Sequence, residues 1–275
     1  DGTKSLTVAA SAATDAAGNA STVSNTVETL LDTTAPTSTA AVADATQVGG
    51  TITGTYTAND AGSGVDTVTL FVRAPGAAWA SAGAVTGGTF SYTPTAGSGV
   101  YQFATVAADA TGNAGVAPSG NAAGDITVSW NSAANAPYAL DITAPGTYVY
   151  PMTATLDIVL TVTDVVTTAT VTVSRTIGDT APAGFVAGRL IDEQLLITGG
   201  FLGQATITWN FDAASASGLE GTFDTAYRLL GGVYQGQFPV TPVGNTIVIG
   251  PVTAFSEWWA GSGSASANDW MLLVD

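Results

Sequence analysis

Apolar and polar residues alternate with a period of two over much of this chain of 275 residues, and Gly, Pro, Asn and Asp break the alternation into short runs. A period of two sends successive side chains to opposite faces, so each run predicts a half-buried strand. Residues 51–57 direct Ile52 and Tyr56 to one face. Val68, Leu70 and Val72 share a face in the next run, and Tyr101, Phe103, Thr105 and Ala107 in a third. Further runs cover 156–162, 170–173, 205–209 and 246–249, all rich in β-branched residues. Residues 218–230 are the one stretch whose spacing invites a helix, and their Gly and Thr content opposes it. The pattern as a whole predicts an all-β protein.

Two short strings recur along the chain. Asp15-Ala-Ala-Gly-Asn19 returns as Asp109-Ala-Thr-Gly-Asn113, an offset of 94 from position 15 to position 109, which is about one β-sandwich module. The apolar parity ahead of the two copies differs by one residue: Leu6, Val8 and Ala10 precede the first, Phe103 and Ala107 the second. A bulge before Asp15 would reconcile them. The second string is an Asp followed shortly by Ala-Pro, at 32–36, 141–145 and 179–182. Proline cannot sit inside a central strand, so these mark module or strand beginnings.

The set Ala-x-Asp-x-x-Gly-Asn, a strand, then Asp32-Thr-Thr-Ala-Pro36 resembles the bacterial immunoglobulin-like repeats of large surface proteins and adhesins. Residues 62–113 resemble one full module, and the likeness covers residues 1 to about 125. The ending around Trp258-Trp259 is similar to closing strands of β modules near the C-termini of bacterial surface proteins, a looser likeness. The resemblance implies tandem immunoglobulin-like β-sandwich modules. It divides the chain into a partial module at 1–31, a complete sandwich at 32–130, a β module or linker strands at 131–178, and a C-terminal β-sandwich at 179–275. Residues 1–31 match only the last two strands of a module, and an isolated hairpin is marginal in water. They call for completion by preceding chain, by a sheet of their own chain, or by a neighbouring subunit.

Composition narrows the functional classes. Charged residues make up only 9% of the chain, with 21 acids against five bases and a net charge of −16. That balance opposes nucleic acid and anionic membrane surfaces as partners, since both need basic patches, and leaves cations, Ca²⁺ first. With no Cys and no His, the chain has no disulfide, no thiolate or imidazole metal site, and no Ser–His or Cys–His pair. No run of 18 apolar residues offers a membrane-spanning helix. The first residues, Asp1-Gly-Thr-Lys4, lack the regions of a signal peptide, which fits a processed form or a piece of a longer chain.

Candidate chemistry centres on oxygen ligands. In a sandwich of the expected kind, the start of the first strand, the loop after the second and the late hairpin loop lie at one end. Asp32 takes the first position, Asn59 and Asp60 the second, and Asp109 and Asn113 the third. Together they make an all-oxygen Ca²⁺ site, and the resemblance implies that calcium stiffens a module junction there. The competing reading is that these Asp and Asn residues only form turns by bonding their own backbone. Trp258 and Trp259, adjacent on a strand, point to opposite faces, one into a core and the other toward a partner copy or a cell-surface glycan. Glu193, Glu220 and Glu257 offer carboxylate pairs for glycoside hydrolysis, but an acid-rich chain yields such pairs by chance. The expectation is a non-enzymatic structural protein of the exterior of a prokaryotic cell: a subunit of a filament, surface layer or adhesin stalk that assembles with copies of itself. A carbohydrate-binding module is the alternative.

Overall fold

In the computed structural model the described residues are 1–177, 193–199, 202–211, 225–230, 233–253, 255 and 257–261, and among them no helix occurs. The chain is an all-β protein of β-sandwich type and divides into two compact units.

The first unit comprises residues 1–43, 52–92 and 102–127. It opens with a two-stranded antiparallel ribbon, β1 (Gly2–Leu6) with β2 (Val27–Leu31). A three-stranded sheet follows from β3 (Thr37–Ala41), β5 (Ile52–Asn59) and β8 (Thr89–Tyr92), in the order β3-β5-β8. A five-stranded sheet runs β4-β10-β9-β6-β7, built from β4 (Thr46–Val48), β6 (Val65–Arg73), β7 (Ala80–Val85), β9 (Gly99–Asp109) and β10 (Ile126–Asn131). β4 pairs with β10 in parallel; β4 and parts of β9 and β10 fall in the second unit.

The alternation read from sequence is the alternation of burial. In β5 Ile52 is buried, and in β6 Val68, Leu70 and Val72 all turn inward. Phe103 packs against Phe90 and Tyr92, each with ring centroids 5.6 Å apart. Leaving water stabilises each such ring by roughly 2–3 kcal/mol. Gly54 makes room for this packing, because a Cβ there would lie 2.4 Å from the Phe90 ring and from the Ala41 carbonyl. A carboxylate replaces missing ladder partners at one side: Asp125 Oδ2 accepts from the backbone N–H of Ala40 on β3 and of Thr105 on β9, both at 2.9 Å.

The second unit comprises residues 44–51, 93–101 and 128–275. Its strands are β11 (Tyr138–Ile142), β12 (Gly146–Pro151), β13 (Asp157–Thr167), β14 (Ala169–Ile177), β15 (Glu193–Thr198), β16 (Leu202–Asn210), β17 (Thr225–Leu230), β18 (Val233–Pro239), β19 (Thr246–Val252) and β20 (Glu257–Gly261). They form a six-stranded sheet, β11-β14-β15-β20-β17-β18, and a four-stranded sheet, β12-β13-β16-β19. The division expected between residues 178 and 179 does not separate two modules. β14 pairs with β15 from Thr172↔Thr198 to Ile177↔Glu193, and one core holds Tyr138, Leu160 and Val173 together with Ile207, Trp209 and Trp258. Neither half can bury its apolar face alone, so the pairing makes one unit.

A buried amide ties the start of this unit. Asn131 is fully buried; its Nδ2 donates to the carbonyls of Ala136 (3.0 Å) and Pro151 (2.8 Å), and its Oδ1 accepts from Ser98 Oγ (3.0 Å). Of the Asp-x-Ala-Pro strings, Pro36 directly precedes β3 and Pro145 directly precedes β12, as the chemistry of proline predicts. The third, at 179–182, lies outside the described residues. The stretch considered for a helix ends in a strand, β17, and its remainder lies outside them too.

Candidate metal centre

Three carboxylates converge at one end of the first unit. Asp32, Asp60 and Asp109 each place an oxygen within 4.8 Å of the other two. Asp32 and Asp109 are 6% and 3% exposed, and Asp60 is half-buried. Asp32 stands just after β2, Asp60 just after β5, and Asp109 at the last residue of β9, so three separate strand ends supply the site.

Each carboxylate is held by uncharged donors. Asp32 Oδ1 accepts from Thr34 N–H at 3.1 Å and Oδ2 from Ser63 N–H at 2.6 Å. Asp60 Oδ2 accepts from the N–H groups of Gly62 (3.0 Å) and Gly64 (2.7 Å), which folds residues 60–64 into a tight loop. Asp109 Oδ1 accepts from the N–H groups of Thr111 (2.9 Å) and Asn113 (2.8 Å), and Oδ2 from Asn113 Nδ2 (2.7 Å). Gly112, at φ +96°, supplies the left-handed step that brings Asn113 back onto Asp109.

The acidities follow from these bonds. The Ser63 N–H, then the Thr34 N–H, hold the Asp32 carboxyl below the usual carboxylate range, against repulsion from Asp109. Burial is the largest influence on Asp109 and works to raise it, but hydrogen bonds from Asn113 and Thr111 together outweigh it and hold the carboxyl at about 2. Both groups are therefore anionic at neutral pH, side by side. Concentrated negative charge on convergent oxygens matches the ligand chemistry of a hard divalent cation. The cluster is able to hold a metal ion.

Asp32, Asp60 and Asp109 come together. Asn59 is exposed in the last position of β5, where its carbonyl accepts from Thr37 Oγ1 at 3.4 Å. Asn113 borders the cluster with its amide nitrogen, which donates to Asp109 and to the Asp32 carbonyl at 3.0 Å; it positions the carboxylates. Two residues missed in the sequence, Gly62 and Ser63, complete the setting. Gly62 matters by close approach: a Cβ there would fall 2.3 Å from Asp32 Oδ2. The string Gly62-Ser63-Gly64 was visible, but not the aim of its N–H groups.

The first copy of the string is the same loop without the cluster. Asp15 Oδ1 accepts from the N–H groups of Ala17 and Asn19 and Oδ2 from Asn19 Nδ2, all at 2.9 Å. Hydrogen bonds from the Asn19 side chain and backbone likewise hold the Asp15 carboxyl below the usual carboxylate range. The loop is exposed throughout.

Trp258 is fully buried, its ring tilted against Phe238 at 5.2 Å, so it is a core residue and not a contact surface. The side chain of Trp259 lies outside what is described, as does Trp270. Trp130 and Trp209 are buried as well, and Trp79 is half-buried with the Arg73 guanidinium 5.5 Å from its ring centre. Among the described residues no exposed row of Trp faces exists. Of the three Glu residues weighed for catalysis, Glu193 and Glu257 lie on β15 and β20, and Glu220 lies outside the described residues. Comparison with family models, with curated proteins and with solved structures finds no match to this chain.

Proposed function

We propose that the protein is a non-enzymatic structural component of the cell exterior, a subunit of an extracellular filament, surface layer or adhesin stalk, whose β modules are stiffened by Ca²⁺ and joined copy to copy through strands and faces. One observation carries this reading: the three carboxylates meet where the chain leaves the β1–β2 ribbon and enters the sandwich. An ion bridging Asp32, Asp60 and Asp109 would lock that exit to the ends of β5 and β9, turning a hinge into a joint. The strand orders β3-β5-β8 and β4-β10-β9-β6-β7 support an immunoglobulin-like module for residues 32–130. A surface with few charges, and strand edges that Lys4 on β1 alone supplies with a lysine, favour pairing between copies.

The test has two arms. Thermal unfolding of the full chain is followed in chelator and in Ca²⁺, with Asp60→Asn alongside. Saturating the site at about a hundred times its dissociation constant adds about 2.7 kcal/mol, enough to raise the melting temperature by about 5 °C or more. Asp60→Asn should abolish most of that rise. Negative-stain microscopy of Ca²⁺-loaded protein at increasing concentration addresses assembly. An unchanged melting temperature removes the cation, and monodisperse monomers at every concentration remove the assembly.

A further inference from the structure

The β1–β2 ribbon leaves large apolar side chains exposed, and among the described residues no sheet covers them. Leu6 stands opposite Val27 and Gly2 opposite Leu31, so Leu6, Val27 and Leu31 share a face, with the Lys4–Thr29 pair between them. Past β1, Ser24 N–H donates to the Val8 carbonyl at 2.9 Å, one step out of the β1–β2 register. Leu6 is 71% exposed, Val8 51% and Val27 61%. An apolar face of this kind needs a cover.

The chain's own repeat shows what that cover is. The loops 15–19 and 109–113 share the same Asp-centred hydrogen bonds, and the flanking bonds match: Ser21 N–H to the Ala13 carbonyl at 2.8 Å, Gly115 N–H to the Ala107 carbonyl at 3.0 Å. Upstream of its loop, the ribbon contains the irregularity that the mismatch in parity called for. Ser11 sits at φ 65° in a turn over residues 9–12, and the Ser21 carbonyl accepts from Ser11 N–H at 2.7 Å while Ala13 N–H turns to Ser21 Oγ. One extra residue there changes the correspondence ahead of it from 94 to 95 positions, so Leu6 answers to Tyr101 and Val8 to Phe103. Tyr101 and Phe103 are both 0% exposed. Phe103 is covered by Phe90 and Tyr92 of β8, and its strand is flanked by β6 through Val72↔Phe103.

We infer that the ribbon is the closing hairpin of a β-sandwich whose other strands come from a segment of the same repeat type as residues 32–95. That segment would lay a β8-like aromatic face over Leu6 and Val8 and add a β6-like strand to the free edge leading to Asp15. The inference rests on the reading of this protein as a structure of like modules, and it names what the ribbon binds.

The chain can be given this partner in register. A copy of residues 32–95 is placed directly ahead of Asp1 in the full chain, and amide exchange is followed from Val8 to Asn19. The expected result is slowing by at least about a hundredfold relative to the 275-residue chain, with one additional cooperative unfolding unit. Leu6→Ser with Val8→Ser in the extended chain should return exchange to the starting rate while residues 32–131 stay folded. An added copy that remains unfolded, or a ribbon that exchanges as before, overturns the inference. So does a dimer of the 275-residue chain that the same two substitutions dissolve, because a second copy then covers the ribbon. That last outcome leaves assembly between copies standing, and microscopy of the native chain tests assembly separately.

Discussion

Gly62→Ala probes the carboxylate cluster without touching a carboxylate. A Cβ at this position would lie 2.3 Å from Asp32 Oδ2, 2.4 Å from Cγ and 2.6 Å from Oδ1. Non-bonded heavy atoms settle near 3.5 Å, so the carboxylate must retreat by about 1 Å or the 60–64 loop must open. Either movement separates Asp32 from the Ser63 N–H that it holds at 2.6 Å. Forcing a methyl group into filled space costs about 1–3 kcal/mol, which for a unit of about 100 residues lowers the melting temperature by roughly 5–15 °C in chelator. On the proposed reading of the cluster as a Ca²⁺ site, displacing Asp32 should also weaken Ca²⁺ binding about tenfold or more, as removing the supports of metal ligands does. The assay is paired calorimetry: melting in chelator gives the packing cost, and isothermal titration with Ca²⁺ gives the affinity. A variant that melts within about 1 °C of the parent and binds Ca²⁺ within about twofold would refute the close approach as the device that positions Asp32.

Two further outcomes are expected from the second unit. Burial, with repulsion from Asp44 added, pushes the Asp157 carboxyl up to about 6 from an ordinary 3.8. A raised carboxyl means that the folded state binds the proton more tightly, so its contribution is full below about 3.8 and is lost as pH rises through about 6. The full shift would be worth about 3 kcal/mol, and half-exposure to solvent reduces this to about 1 kcal/mol. Asp157→Asn should therefore stabilise the protein at pH 7 by that amount and flatten the melting temperature between pH 4 and pH 7; equal pH profiles for the two proteins would count against the raised acidity. Asn131→Asp replaces the donor that serves the Ala136 and Pro151 carbonyls with a third acceptor in a fully buried place. It should cost about 3 kcal/mol in urea unfolding, and a loss below about 0.5 kcal/mol would show that those carbonyls find other partners.

The core strands were legible because one face of each is buried more deeply than the other. Val68, Leu70 and Val72, or Tyr101, Phe103 and Ala107, announce their faces by period alone, and the sheets bury those faces. The joint core of residues 138–258 was not legible. Period-2 runs on either side of position 178 read the same whether they pair with each other or with separate partners, and only the β14–β15 register decides. The three Asp residues of the cluster were legible from where such strand ends lie in a sandwich. Gly62 and Ser63 were out of reach for another reason: they act through a missing Cβ and a backbone N–H, and neither has a signature beyond glycine and serine in a turn.

The two Asp-x-x-Gly-Asn loops separate what the string does from what the site does. Both copies close through the same bonds, with glycines at φ 85° and 96°, although Asp15 is exposed and Asp109 is 3% exposed. The loop is thus a local device, complete within five residues and indifferent to its surroundings. Its carboxylate is held ionised and aimed in either place, which is why turn formation alone explains Asp15. What distinguishes Asp109 is tertiary: the exit of β2 brings Asp32, the 60–64 loop brings Asp60, and Gly62 lets them close to within 4.8 Å. Turn chemistry and metal chemistry are therefore successive layers and not competing readings. The string prepares one carboxylate wherever it occurs, and a cation-binding cluster arises only where a sandwich delivers the other two.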